Sequence, residues 1–181
     1  MRVVLCGPPG AGKGTQAKLL SEYLAVPHIS TGDLFRANIG EGTPLGATAK
    51  QHLDAGDLVP PELTIAMVRG RLSDPDTAAG FLLDGFPRSV MQANALLQIL
   101  SGRGEELDSV VEFRIDSDDA VQRMLERGRV DDTEDVIRNR LEVYRAETLP
   151  LLDFYAEQLV TVDAVGEVSE VNDRTLKALL A

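Results

Sequence analysis

Within the first fifteen residues an apolar pentapeptide, Arg2-Val3-Val4-Leu5-Cys6, runs directly into Gly7-Pro8-Pro9-Gly10-Ala11-Gly12-Lys13-Gly14-Thr15, and few architectures accommodate that succession. Residues 2–6 read as a short buried strand, the glycines let the loop turn tightly with its backbone N–H groups pointing inward, and Lys13 supplies a cation. Apolar residues recur at Ala17, Leu20 and Leu24, so a helix is predicted over 14–25 with its positive N-terminal end aimed at the contents of the loop. A glycine-rich turn can merely join a strand to a helix, but strand, loop and helix in this order predict a cradle for nucleotide phosphates at Gly10, Ala11, Gly12, Lys13, Gly14 and Thr15. The hydroxyl residue that usually follows such a lysine is replaced by Gly14, with Thr15 one place later. No direct magnesium ligation is therefore assigned to a loop hydroxyl.

The 181 residues, 44% hydrophobic and 26% charged, suffice for one well-buried domain with small excursions. No apolar run approaches the ~20 residues needed to cross a bilayer, and the opening strand leaves no signal-peptide pattern. A cytoplasmic protein is expected, and a monomer, because no long heptad pattern or apolar surface run is present. Cys6, the single cysteine, excludes an intrachain disulfide and a thiolate zinc cluster and reads as a small buried hydrophobe. A net charge of -11 opposes nucleic acid or an anionic membrane as partner. A phosphate ligand is compatible with that charge only if the 18 basic residues are concentrated around it. Lys13, Arg36, Arg88, Arg123, Arg127, Arg129 and Arg140 each fall in or beside a motif, whereas the acidic runs Ser73-Asp74-Pro75-Asp76 and Asp131-Asp132-Thr133-Glu134-Asp135 are expected to lie elsewhere.

Short strand-like runs alternate with longer helical patterns, which predicts an α/β fold with a five-stranded parallel sheet flanked by helices. The strands are expected at 2–6, 27–29, 81–84, 109–115 and 159–162, their C-terminal ends lining one edge. Between the second and third, residues 30–80 carry Gly40, Gly42, Gly46, Gly56 and the Pro60-Pro61 break, the pattern of a helical excursion off the core. Phe81-Leu82-Leu83-Asp84 ends a strand on a carboxylate placed to hold magnesium, directly or through water, or simply to cap the turn at Gly85. Arg88 follows a proline-stiffened turn, where its guanidinium can take a phosphate through two hydrogen bonds.

Gly7 to Thr15, Ser30-Thr31-Gly32-Asp33-Leu34-Phe35-Arg36, Asp57-Leu58-Val59-Pro60, Asp84-Gly85-Phe86-Pro87-Arg88 with Gln92, and residues 132–144 together resemble the adenylate kinase family from end to end. The resemblance implies a P-loop NTPase-like core (1–29, 60–125 and 133–181), a nucleoside-monophosphate-binding excursion (30–59) and a lid (126–132). It implies transfer of the terminal phosphoryl group of MgATP to AMP, giving two ADP. Gly10 to Thr15, Arg127 and Gly166 then resemble ATP-binding positions. Thr31, Arg36, Asp57, Leu58, Val59, Gly85, Phe86, Pro87, Arg88, Gln92, Arg129 and Arg140 resemble AMP-binding ones. Lys13, Arg88, Arg123, Arg129 and Arg140 resemble the groups around the transferred phosphoryl, and Asp84 the magnesium site.

Some of these residues have a structural reading as well. Ser30-x-x-Asp33 and Ser89-x-x-Gln92 both fit a helix capping box, and any one of Arg123, Arg127, Arg138 and Arg140 could be a solvated helix charge; Arg138, not Arg140, is assigned to that role. Gly128-Arg129-Val130-Asp131 joins two helices where long-lid relatives carry an insertion, so the lid is the short form without zinc, and Arg129 is expected to swing over the phosphates. His28 and His52 are expected to be structural. The Gly-Phe-Pro-Arg run also resembles UMP/CMP kinases, but Thr31 favours AMP. A GTPase-like switch lacks its Asn-Lys-x-Asp run in this chain.

Overall fold

The computed structural model describes residues 1–129 and 132–181. Five parallel strands, β1 (Arg2–Cys6), β2 (His28–Ser30), β3 (Phe81–Asp84), β4 (Ser109–Arg114) and β5 (Leu159–Asp163), form one sheet in the order β2-β3-β1-β4-β5. Both of its faces are covered, which is why the strands read as near-continuous apolar runs without polar alternation. Val4, Cys6, Phe81, Leu83 and Val110 pack on one face with Val68, Leu72, Leu96 and Leu151. Val3, Leu5, Leu82, Val111 and Phe113 pack on the other with Ala17, Leu20 and Val171.

The helices on those faces are α1 (Lys13–Leu24), α4 (Pro61–Leu72), α5 (Val90–Ser101), α8 (Pro150–Phe154) and α9 (Val168–Leu179), while α6 (Ser117–Arg127) and α7 (Glu134–Val143) pack on each other through Met124, Ile137 and Leu141. Strand order reverses direction beside β1, whose neighbours are β3 on one side and β4 on the other. In an open α/β sheet that point leaves a crevice beyond the strand ends, and here the loop after β1 enters it. Gly7 and Gly10 permit the fit. A Cβ on Gly7 (φ +142) would lie 2.7 Å from the Phe113 carbonyl oxygen, and one on Gly10 (φ +87) 2.3 Å from that of Ala120.

The excursion is built from α2 (Thr31–Gly40) and α3 (Pro44–Ala55). Ser30 caps α2 by accepting from the Asp33 N–H at 3.2 Å, and Thr43 caps α3 by accepting from the Gly46 N–H at 3.0 Å. Phe35, Ala49 and Val59 form a small apolar cluster of their own with Leu45, Leu53, Leu63 and Met67. The expected strands are therefore present, with β2 displaced one residue later, β4 ending at Arg114 and β5 running on to Asp163. The short-lid segment 126–132 lies partly outside the described residues, at Val130 and Asp131. Among the described residues no helix is long and apolar enough to cross a membrane. Truncating the wholly buried Leu83 at the sheet centre to alanine should cost about 3 kcal/mol in urea unfolding.

Candidate active site

α1 begins without a side-chain cap: its N-cap is Gly12 at φ 83, and no side chain accepts from the first turn. The helix therefore keeps N–H donors for an anion in the loop. Lys13 turns back into the loop, donating from Nζ to the carbonyls of Gly7 (2.8 Å) and Pro8 (2.9 Å). Burial pushes its amine pKa down, and the facing Asp84 opposes that shift. Thr15 lies exposed at the rim, while Gly14 lies against Asp84, whose Oδ2 is 3.5 Å from where a Cβ would stand. A hydroxyl side chain directly after the lysine would thus have faced a carboxylate.

Asp84 ends β3 in the middle of this arrangement. Burial alone would raise its pKa, but the His28 imidazole and the charges of Lys13 and Arg88 outweigh it and hold the carboxyl below its usual range. The His28 contact is long, with Nε2 3.5 Å from Oδ2 and otherwise without a protein hydrogen-bond partner. Beyond Asp84 the chain turns at Gly85 (φ +81), where a Cβ would come within 2.7 Å of Thr31 Oγ1 and 2.9 Å of Arg88 Nη2. Thr31 Oγ1 donates to the Gly85 carbonyl at 2.9 Å, and Arg88 Nε donates to the same oxygen at 2.9 Å. Gln92 Oε1 accepts from the Arg88 backbone N–H at 2.7 Å. Gln92 thus reaches past its own N-cap, Ser89, to fix the arginine, while Ser89 Oγ accepts from the Gln92 N–H at 3.4 Å.

All seven basic residues singled out in the sequence line one cleft of about 780 Å³, together with the phosphate loop, Asp84 and Gly166. Behind Arg88 a small side pocket of about 20 Å³ is lined by Thr31, Leu58, Val59, Gly85 and Gln92. Asp57 borders both spaces. Pro87 lines the main cleft, whereas Phe86 is wholly buried in the core beneath it, so Phe86 can offer a ligand no side-chain contact. Arg36 is paired with Asp33 at 2.5 Å, so the second half of the expected capping box is not made. Arg123 makes no hydrogen bond or ion pair among the described residues. Arg138 is exposed and paired with Glu134 at 2.6 Å, away from the cleft.

One expectation is overturned. Asp132, read from the sequence as part of an acidic run remote from the phosphates, sits among the arginines with its side chain wholly buried. It accepts from Arg127 Nε (3.0 Å) and Nη2 (2.8 Å), from Arg140 Nη1 (3.0 Å) and from the Arg129 backbone N–H (3.2 Å). Crowded guanidinium groups repel, and a buried carboxylate among them is the local remedy. Its place in a run of acids hid it. Asn139 was also missed: its Nδ2 donates to the Ala55 carbonyl and to Asp57 Oδ1, both at 2.8 Å, tying α7 to the end of α3.

Magnesium fits the donor set in a limited way. Among the described residues no group of three or more histidine, cysteine or acidic side chains gathers as a metal cage. One ionised carboxylate at the mouth of a phosphate loop is instead what an ion held mainly by waters and substrate phosphates requires. The depressed pKa of Asp84 also sets a pH dependence. Its stabilising contribution is complete above the unfolded value of about 3.9 and is lost as pH falls through the lower folded value. The difference in Tm between the unliganded protein and its Asp84→Asn variant should therefore shrink as the pH is lowered from about 5 to 3.

Residues 5–160 match the family model described as adenylate kinase. The chain is 64% identical over 179 residues to the protein named adenylate kinase in Mycobacteroides abscessus and, at the same identity and length, to that of Rhodococcus erythropolis. It is 62% identical over 179 residues to the one from Corynebacterium glutamicum, and each of these comparisons covers 99% of both chains. A phosphate loop, a ring of arginines and an identity of this extent place the chain in the adenylate kinase family, among the phosphotransferases that act on nucleoside monophosphates.

Proposed function

We propose that the protein transfers the terminal phosphoryl group of MgATP to AMP, reversibly, giving two ADP. The observation that carries this reading is one cleft of about 780 Å³ lined both by the phosphate loop with Lys13 and by Arg36, Arg88, Asp57 and Leu58. A phosphate loop that shares a cleft with a second pair of arginines suits a donor triphosphate and an acceptor monophosphate better than one nucleotide alone.

The donor phosphates lie in the loop, against Lys13 and the uncapped start of α1, with Arg127 and Gly166 beside the base. Arg36 and Arg88 hold the acceptor phosphate, while Thr31, Gln92 and the backbone of residues 57–59 face its base and ribose. An oxygen of the AMP phosphate attacks the γ-phosphorus, and the bond to the oxygen bridging the β- and γ-phosphorus atoms breaks, leaving ADP on each side. That oxygen is already anionic at neutral pH, so no general base is required, and the rate comes from alignment and from charge stabilisation by Lys13, Arg88, Arg123, Arg129 and Arg140. Magnesium, held at Asp84 through water, would neutralise charge on the ATP phosphates. Residues 30–59 are read as the AMP-binding lobe, 126–132 as a short lid and the remainder as the core. Every group this reading uses comes from one chain, so no second subunit is needed.

The test is ADP formation from MgATP with AMP, CMP, UMP and GMP offered in turn, with controls lacking acceptor or magnesium. AMP should be preferred by at least about 100-fold in kcat/KM. Comparable turnover of UMP or CMP would remove the AMP assignment, and acceptor-independent hydrolysis alone would remove the transferase reading. Replacing Lys13 by methionine or Arg129 by alanine should each lower kcat by about 100-fold or more, as loss of one preorganised charge contact does. Unchanged turnover in Arg129→Ala would show that the short lid contributes no charge to the reaction.

A further inference from the structure

Between α7 and α8 the chain makes a five-residue π turn, Tyr144–Thr148, in which the Leu149 N–H donates to the Tyr144 carbonyl at 3.0 Å, five residues back. Its cause lies two residues further on. Pro150 has no N–H to donate, and in an uninterrupted α-helix its ring would collide with the carbonyl of Ala146. Widening the preceding turn by one residue relieves that collision and changes the angular register of α8 relative to α7.

The widened turn has a specific product. A threonine inside a helix ordinarily returns its hydroxyl to a carbonyl one turn back on its own helix. Thr148 is 6% exposed, and its Oγ1 instead donates to the backbone carbonyl of Arg88 at 2.9 Å, 60 residues away in sequence. With the Gln92 oxygen on the Arg88 N–H and the Gly85 carbonyl on its Nε, the arginine is held on three sides. No hydrogen bond among the described residues engages its two Nη groups, and Arg88 lines the cleft.

We propose that Thr148 is a positioning residue for Arg88, brought to it by the π turn that Pro150 imposes, and that it sets how well the acceptor phosphate is aligned. The inference rests on the reading of Arg88 as the acceptor-phosphate ligand. Thr148 also borders the cleft, but its hydroxyl proton is committed to the Arg88 carbonyl, so in this reading it acts through Arg88. Loss of its hydroxyl leaves the Arg88 carbonyl without its donor, and the turn from Gly85 to Ser89 loses its anchor on the helical layer. The effect should fall on AMP and ADP in the acceptor half of the cleft and not on ATP in the loop.

The experiment compares Thr148→Val, which keeps the branched shape and removes the hydroxyl, with Thr148→Ser, which keeps the hydroxyl. KM for AMP, KM for ATP and kcat are measured well below each variant's Tm, with Thr148→Ala standing in if the valine variant does not fold. Thr148→Val should raise KM for AMP about tenfold with KM for ATP within about twofold of the parent, and Thr148→Ser should recover most of that loss. An unchanged ratio of the two KM values in Thr148→Val, whether or not its Tm falls, overturns the inference and marks a threonine that serves only the fold. Arg88→Lys separates the two readings. If it impairs AMP use while Thr148→Val does not, only the positioning role is lost; if neither changes AMP kinetics, the assignment of Arg88 itself is wrong.

Discussion

Positive charges that must meet phosphates also have to be held together before any phosphate arrives, and most of this site can be understood from that requirement. Lys13, Arg88, Arg123 and Arg127 of α6 and Arg140 of α7 share one cleft in a chain of net charge -11. The protein offsets their repulsion with a few buried or half-buried acceptors. Backbone carbonyls of the loop take Lys13, Asp84 faces Lys13 and Arg88, and Asp132 takes Arg127 and Arg140. The sheet makes this possible, because the reversal of strand order beside β1 leaves a crevice at the ends of β1 and β3, which Arg123 and Arg127 from the C-terminal half of α6 also line.

The fold was largely legible because its signals are local and agree with one another. An apolar strand, a glycine loop and an amphipathic helix follow in sequence at residues 2–25, and the remaining strands are apolar runs bounded by turn residues. The small shifts at β2 and β4 come from pairing: Ser30 pairs with Asp84 and Arg114 with Asp163 at the strand ends, and register is a property of neighbours, not of the strand itself.

The site was legible where a residue type has one plausible task in its context, and hidden where tertiary partners decide. Arg88 after a proline turn and Asp84 after an apolar run were readable. Asp132 was not, since nothing local distinguishes it from Glu134 or Asp135, which stay exposed. Phe86 stands inside a motif, yet its ring belongs to the core. Gln92 shows the intermediate case, because the side chain that fits a helix cap is used to fix Arg88. Asn139 and Thr148 have partners more than fifty residues away in sequence, so no window of sequence could have revealed them.

The carboxylate of Asp132 bears on how the protein responds to ionic strength. Arg127 and Arg140 already have an anion beside them, so a phosphate that joins them displaces a protein partner more than it displaces dissolved counterions. Binding that releases few ions varies little with salt. Nucleotide affinity here should therefore be less sensitive to salt than the number of arginines around the cleft would suggest, because the site carries a counterion of its own.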